Sequence, residues 1–276
     1  MTHQVHPLAQ KIVDAIDEGY DKEERQEARC YIGASMAGTD CVAQMSLSLR
    51  GFPDVAVNPQ LKRIFWAGHK IEDWVVYDLK KRADLRVYDK DDMTGRQHRK
   101  EWLGGHVVCN SDGLVDFEDG SGQAILEIKS MNDANFKKFQ TYGVKASHRK
   151  YYRQMCMMMA MFRIERSLFV SYNKNNSQYH CEIVPFDQEE WDEMYVKIQA
   201  ALDGQAGRIA TQPEDWRCKS CFKRESCWEI PDVRPACQFC KNSFANKDGG
   251  WTCKINGQVC TDTCTNFELF RPTEKV

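Results

Sequence analysis

Apolar and polar residues alternate in two short runs on either side of a turn. The runs are Gly113–Phe117 and residues 124–129, and the turn between them is rich in glycine and short polar residues. Such alternation predicts strands, and the turn composition predicts a hairpin. Glu127 and Lys129 then share one face of the second strand with Ile125. The opposite face packs in the core through Ala124, Leu126 and Ile128.

Elsewhere the apolar positions recur with the helical period or form short strand-like runs. Residues 89–99 form a charged loop, and Ser35 is expected to cap a helix that runs through Cys41 to about Leu49. The fold class expected from this order is α/β, with a mixed central sheet flanked by helices. Helices are predicted over residues 6–28, 61–83, 147–164 and 187–202, and strands over 85–88, 105–109, 167–172 and 179–184.

The composition sets the limits of this picture. The 276 residues allow one large domain and a small one, expected at residues 1–230 and 231–276. The net charge is −2, so any contact with nucleic acid must come from a local basic surface. No apolar run is long enough to cross a membrane, and the first 25 residues lack the apolar core of an export signal. We therefore expect a cytoplasmic protein (in the host cytoplasm if it is viral).

The charged face of the hairpin is the first candidate site. Asp116 on the first strand is expected to lie close to Glu127 on the second. Two such carboxylates repel each other unless a cation lies between them, and hard oxygen ligands suit Mg²⁺ or Mn²⁺. Lys129 can orient or help to deprotonate a metal-bound water. Glu72 is a candidate third carboxylate, with His69 as an alternative ligand. The alternative interpretation of the hairpin is a solvated Glu–Lys pair.

A basic stretch follows the hairpin. Residues 136–153 carry lysines and arginines but no acidic residue, and phenylalanines and tyrosines lie between them. Cations suit phosphates and aromatic rings suit bases, so we expect Lys145, Arg149 and Arg153 to bind DNA. A solvated helix face is the alternative.

Cysteines concentrate at the end of the chain. The sequence has 13, and an odd number without an export signal argues against a disulfide framework. Cys218, Cys221 and Cys227 have the spacing of three ligands and need a fourth to complete a zinc or iron–sulfur site. Four of the five later cysteines suffice for a small zinc module, and the predicted zinc ligands are Cys237, Cys240, Cys253 and Cys264.

Together, these residues resemble the PD-(D/E)XK nuclease superfamily. The resemblance covers roughly residues 29–227, through Asp116, then Glu127-Ile128-Lys129, then the helix with Gln154. Residues 29–35, the spacing Gly68-x3-Glu72 and residues 150–154 look like the lambda exonuclease/YqaJ branch. The C-x2-C-x5-C group looks like the RecB-like iron–sulfur branch, seen in AddB-type subunits and CRISPR-associated exonucleases.

This resemblance implies a restriction-endonuclease-like fold and a role for each matching residue. Lys129 would position the attacking water, with support from Gln154, while Arg29 and Ser35 would contact a terminal phosphate. Cys41, or Cys30 as second choice, would join the three downstream cysteines around a [4Fe–4S] cluster. The implied ligands of Mg²⁺ or Mn²⁺ are Glu72, Asp116, Glu127 and Ile128.

The activity expected from the sequence is metal-dependent exonucleolytic hydrolysis of DNA, in phage or bacterial recombination, repair or DNA turnover. Two alternatives stay open. One is a structure- or site-selective endonuclease that uses the same residues, and the other is a non-catalytic DNA-binding module stabilised by metal. DNA is the expected partner, no membrane is expected, and a homo-oligomer or a recombination protein is a further expected partner.

Overall fold

Two β-sheets form the centre of the fold. The structure is a computed structural model, and it describes residues 6–24, 27–117, 120, 122–261 and 264–274. The larger sheet has the strand order β2-β5-β6-β7-β8, and the smaller has the order β1-β4-β3. The strands are β1 (Ile32–Gly33), β2 (Arg86–Tyr88), β3 (Arg99–Trp102), β4 (Val107–Asn110), β5 (Gly113–Phe117), β6 (Gly122–Met131), β7 (Arg166–Asn173) and β8 (Tyr179–Pro185).

Helices cover both faces of the larger sheet. In chain order they are α1 (Pro7–Asp21), α2 (Ala34–Ala37), α3 (Val42–Leu49), α4 (Pro59–Lys81), α5 (Asp133–Ser147), α6 (Arg149–Phe162), α7 (Gln188–Leu202), α8 (Trp216–Lys219) and α9 (Arg224–Trp228). Strands β6 and β7 run parallel, and α5 with α6 makes the crossover that a parallel pair requires. The predicted mixed sheet flanked by helices is confirmed.

The central strand β6 is buried on both faces. Its Ile125 joins a large cluster that includes the methionines of α6, whereas Leu126 and Ile128 pack with Val75 of α4 in a second cluster. Glu127 points toward the first cluster and is only 1% exposed. A charged side chain in that position must find polar partners, so this point of the sheet is where a site is expected.

Two local predictions are wrong. Gly33, not Ser35, is the N-cap of α2, and the helix expected to run through Cys41 is broken into α2 and α3. The first helix ends at Asp21 rather than at residue 28. The expected charged loop ends at Arg99, where β3 begins and pairs with β4.

The cysteine-rich end packs against the rest of the protein. It contains a small hairpin of β9 (Ser243–Ala245) and β10 (Trp251–Cys253). His106 donates from Nε2 to the carbonyl of Gly250 over 2.8 Å. Gly104 has a φ of 61°, and a Cβ there would lie 2.2 Å from the backbone nitrogen of Gly249. The two backbones therefore approach too closely for any residue but glycine at this point.

Among the described residues, no helix combines the length and the apolar character that crossing a membrane requires.

Candidate active site

The register of the hairpin decides which carboxylate faces Glu127. Gly113 pairs with Leu126, so the next pair of residues away from the turn is Asp112 with Glu127. The backbone N–H of Ile128 donates to Oδ2 of Asp112 over 2.7 Å, which fixes the carboxylate at this end of the sheet. Asp112 is the carboxylate that sequence reasoning missed.

Asp116, the predicted partner, is not beside Glu127. It pairs with Gln123 on β6 and with Arg86 on β2. Gln123 is four residues from Glu127, about 13 Å along a strand. The prediction that Asp116 and Glu127 meet is therefore wrong, because an antiparallel hairpin pairs the residues nearest its turn with each other. The expected role of Asp116 as a metal ligand loses its geometric basis.

Glu72 reaches the same place from helix α4. Its carboxylate accepts a hydrogen bond from Gln97 Nε2 over 3.3 Å, and its Oε2 is 3.8 Å from Nδ1 of His69. The charges of Asp112, Glu127 and Lys129 all act on it. His69 itself is 79% exposed and lies at the rim. Of these two predicted alternatives, Glu72 is the one that the structure brings to the hairpin.

Lys129 and Gln154 hold Glu127 from two sides. Gln154, on α6, donates from Nε2 to Oε1 of Glu127 over 2.7 Å. Lys129 forms an ion pair with Glu127, and its Nζ also donates to the carbonyl of Ile128 over 3.1 Å. The Tyr151 ring lies 5.6 Å from the same Nζ. The predicted contact between the Gln154 helix and the hairpin is thus present.

Burial, with like charges nearby, raises the pKa of two of these carboxyl groups. Burial raises the pKa of Glu72 to about 8, and the charge of Asp112 adds to the rise. Burial likewise raises the pKa of Glu127 to about 7, against the opposing charge of Lys129. Burial alone would lower the pKa of Lys129, but the charges of Glu127 and Asp112 outweigh it and raise that pKa. The acidic cluster of Glu72, Asp112 and Glu127 is therefore short of positive charge near neutral pH.

This donor set suits a hard divalent cation, because its ligands are carboxylate oxygens and main-chain carbonyls such as that of Ile128. Within the described ranges, no three His, Cys, Asp or Glu side chains already surround one point as a coordination shell. Instead the ammonium of Lys129 lies against Glu127 and supplies the positive charge.

The predicted DNA-binding cations are occupied by protein carboxylates. Arg153 is 2% exposed and forms ion pairs with Asp40, Glu190 and Glu193. Arg149 donates to Glu190 over 2.9 Å, and Lys145 lies 2.7 Å from Asp187. The prediction is wrong for Arg153, which is buried among these carboxylates, and for the exposed Lys145 and Arg149 it stays a prediction. A buried arginine cannot reach a DNA backbone.

The predicted terminal-phosphate residues stay predictions. Arg29 and Ser35 are both exposed. Ser35 lies in α2, and α2 packs against α6, the helix that carries Gln154. The packing is close, since a Cβ at Gly38 would lie 2.6 Å from the carbonyl oxygen of Lys150.

One cavity brings together four cysteines from distant parts of the chain. Cys41, at the N-terminal end of α3, lines it together with Cys218, Cys221 and Cys227. Burial raises the pKa of Cys221 to about 11, and the charges of the other three thiols add to the rise. Cys30 lies elsewhere, with its Sγ within 2.4 Å of the position that a Cβ on Gly51 would take. We call Cys41, Cys218, Cys221 and Cys227 the first cysteine group.

A second cysteine group lies at the small hairpin, and it differs from the predicted one by one member. Burial raises the pKa of Cys260 to about 12, and a hydrogen bond with Cys237 and the charges of Cys253 and Cys240 act in the same direction. Cys264, the predicted fourth ligand, is exposed. Cys260 thus lies where Cys264 was expected. The chain turns after Cys253, and the N–H of Cys260 donates to the carbonyl of Trp251.

No protein family matches the sequence, and no curated protein matches it either. Several solved structures are similar to parts of this chain. An alkaline exonuclease from Laribacter hongkongensis is 18% identical, with 68% of this chain and 90% of that chain covered and a TM-score of 0.42. A phage-related exonuclease from Haemophilus somnus 129PT is 16% identical, with 64% and 92% covered and a TM-score of 0.41. The protein SSO0001 is 11% identical, with 80% and 95% covered and a TM-score of 0.45.

Proposed function

We propose that this protein is a metal-dependent deoxyribonuclease that degrades DNA from an end. The observation that carries the proposal is the convergence of the acidic cluster with Lys129. Glu72 comes from α4, Asp112 from the turn before β5, and Glu127 and Lys129 from β6. Three carboxylates and one lysine at an open end of a sheet can hold a divalent cation next to a phosphate. Exonucleolytic action rests on the sequence resemblance.

The protein's own residues prepare this site for hydrolysis. The amide of Gln154 orients Glu127, and the N–H of Ile128 orients Asp112. The ammonium of Lys129 favours the ionised form of the buried Glu127. When a bound divalent cation does this instead, the ammonium is available to a phosphate oxygen. Glu72, Asp112, Glu127 and the carbonyl of Ile128 would hold Mg²⁺ or Mn²⁺. The ion supplies Lewis-acid stabilisation of the phosphate and of the attacking oxygen.

The DNA strand needs contacts that the buried Arg153 cannot make. The rings of His148 and Tyr151 stack 5.6 Å apart with an interplanar angle of 11°, and Tyr151 adjoins Lys129. Lys150 is exposed, and its charge interacts with that of Lys129. We assign the strand contacts near the scissile phosphate to these three residues, which combine a base-stacking surface with a cation.

The first cysteine group is a candidate for the expected [4Fe–4S] cluster. Its four thiols come from α3 and from the α8–α9 segment and surround one cavity, which suits a cluster with four cysteine ligands. Cys30 lines no part of that cavity, so Cys41 is the better fourth ligand. The cluster would be structural, since it would join the N-terminal and C-terminal parts of the fold.

The test is degradation of end-labelled DNA by the purified protein in Mg²⁺, Mn²⁺ or EDTA. Linear substrates should be degraded with either metal, and closed circular DNA should survive. Asp112→Asn and Lys129→Met should each reduce the rate on the order of 100-fold or more, because each removes a charge at the reacting phosphate. Asp116→Asn is the matched control and should keep the wild-type rate.

Other results would select a different function. Cleavage of closed circular DNA would indicate the endonuclease alternative with the same residues. Metal-independent binding without cleavage, together with unchanged behaviour of Asp112→Asn, would indicate a DNA-binding module and would contradict the proposal. Loss of activity in Asp116→Asn but not in Asp112→Asn would refute the assignment of the acidic cluster.

A further inference from the structure

Arg50 is a buried cation without a carboxylate partner. It is 0% exposed and follows α3 directly. Its Nη1 donates to the carbonyls of Gln238 and Cys240 over 2.6 and 2.9 Å, and its Nη2 donates to the carbonyl of Ser243 over 2.7 Å. Among the described residues, no carboxylate forms an ion pair with it, and its buried Nε has no hydrogen-bond partner. Burying a full charge is costly unless an opposite charge lies nearby.

The surroundings of Arg50 offer one source of negative charge. Its guanidinium lies 3.9 Å from the centre of the Phe270 ring and 4.6 Å from that of Trp251, so aromatic faces cover it on those sides. Its polar side faces the turn that begins at Cys237 and ends at Cys240. Cys240 of the second cysteine group is the neighbour whose negative charge, once its thiol is ionised, would act on this cation.

The backbone brings the four cysteines of that group together in two turns. In the first, the N–H of Cys240 donates to the carbonyl of Cys237 over 3.0 Å. In the second, Cys253 ends β10 and its N–H donates to the carbonyl of Gln258. The N–H of Cys260 donates to the carbonyl of Trp251 over 2.8 Å. Two short turns that each supply two cysteines are a usual source of tetrahedral ligands. The four side chains do not yet surround one point in the described structure, so metal binding would draw them together.

The C-terminal module has little regular secondary structure of its own. Its hairpin consists of two strands of three residues each, and a hairpin that short is unstable in water without further support. Small modules with so little core commonly depend on a metal.

We propose that Cys237, Cys240, Cys253 and Cys260 bind one Zn²⁺ as thiolates and that Arg50 is the counter-cation of this centre. One divalent ion and four thiolates leave a net charge of −2, and the guanidinium offsets part of it. Arg50 thereby couples zinc binding to the packing of α3 against the C-terminal module. The proposal does not depend on nuclease activity, and its test uses none.

The first experiment measures zinc and iron in the full-length protein by elemental analysis. Cys260→Ser should lose one equivalent of zinc, whereas the matched Cys264→Ser should keep the wild-type content. Zinc lost from Cys264→Ser but kept in Cys260→Ser would overturn the ligand assignment. Wild-type protein that contains no zinc after purification and takes up none from solution would overturn the site.

The second experiment tests Arg50 through the rate at which zinc passes to a chromophoric chelator. In Arg50→Met the transfer should be about 10- to 100-fold faster, the usual effect of losing an outer contact of a metal site. Arg50→Lys keeps the charge and should recover part of the difference, and circular dichroism should show that both variants are folded. If Arg50→Met fails to fold, Arg50→Gln, which also lacks the charge, takes its place. A transfer rate equal to that of wild type in the folded neutral variant would reduce Arg50 to a packing residue.

Discussion

Glu72 is the residue whose ionisation should govern the stability of the metal-free protein. The ordinary pKa of glutamate is 4.5, and the folded protein raises it to about 8 at Glu72 and about 7 at Glu127. Between these values the folded state holds more protons than the unfolded chain. The free energy of unfolding contributed by these groups is therefore highest below about pH 4.5 and falls as the pH rises through about 8.

We predict that Glu72→Gln reduces the fall in the free energy of unfolding that occurs as the pH rises. In EDTA, the melting temperature of wild type should fall between about pH 6 and about pH 8.5 by more than that of Glu72→Gln, because the variant has no carboxyl to ionise there. Mg²⁺ should raise the wild-type melting temperature most at the higher pH, where the cluster is fully charged. Scanning calorimetry or dye-monitored melting at both pH values checks this. Parallel curves for the two proteins would contradict it.

The case of Asp112 shows what a sequence can and cannot say about a site. Alternation along the second strand puts Glu127 and Lys129 on one face, and the family resemblance adds Gln154. Asp112 lies before β5, outside the alternating run that begins at Gly113. Counting pairs outward from the turn would have excluded Asp116, since a residue next to a turn faces another residue next to that turn. The exact partner of Glu127 still depends on the length of the turn.

At the scale of elements, the contact of α6 with α7 is made by charge as much as by apolar packing. Arg153 of α6 and Glu190 of α7 are both buried, and Arg149 donates to the same carboxylate. Asp187 accepts from Glu190 N as the N-cap of α7 and also accepts from Tyr152 over 2.7 Å. The side chain of Asp187 thus caps α7, and Asp187 and Glu190 also serve as partners of the basic stretch.

We predict that Arg153→Met destabilises the protein by about 3 kcal/mol, at the lower end for a broken buried ion pair because Arg149 still pairs with Glu190. The matched change Lys145→Met, at an exposed ion pair, should leave the denaturation midpoint nearly unchanged. Urea denaturation followed by circular dichroism measures both. Equal midpoints for the two variants would show that the network contributes nothing to stability.

The basic stretch was misinterpreted for a physical reason. Composition reveals that cations and aromatic rings alternate, but it does not reveal which of them another element covers. Phe136 and Phe139 are core residues, and the carboxylates that pair with Arg153 lie 37 and 40 residues after it and 113 residues before it. Long-range pairing of this kind has no local signal. By contrast, the helix α4, whose Asn58 cap and apolar face are local features, was predicted to within two residues at each end.

At the scale of the whole molecule, the first cysteine group joins the two ends of the fold. We predict that Cys41→Ser loses iron and brown colour together with thermal stability when the protein is purified without oxygen, because one of four ligands is removed. Cys30→Ser is the matched control and should keep the iron, the colour and the thermal stability. Elemental analysis and the visible absorption spectrum provide the measurements. Iron kept in Cys41→Ser but lost in Cys30→Ser would move the fourth ligand to Cys30, and zinc in both groups would exclude the cluster.

The burial of Arg50 has a consequence for the order in which the chain can fold during synthesis. Arg50 is separated from its partner Ser243 by 193 residues, and α3 packs against α7 and α9. A ribosome adds about 5 to 20 residues per second, so roughly 10 to 40 s pass between the emergence of Arg50 and that of the residues that bury it. The apolar face of α3 stays exposed until α7 and α9 have been made, and Arg50 stays without its partners for the whole interval. The segment around Arg50 is thus made early and is among the last to reach its native environment.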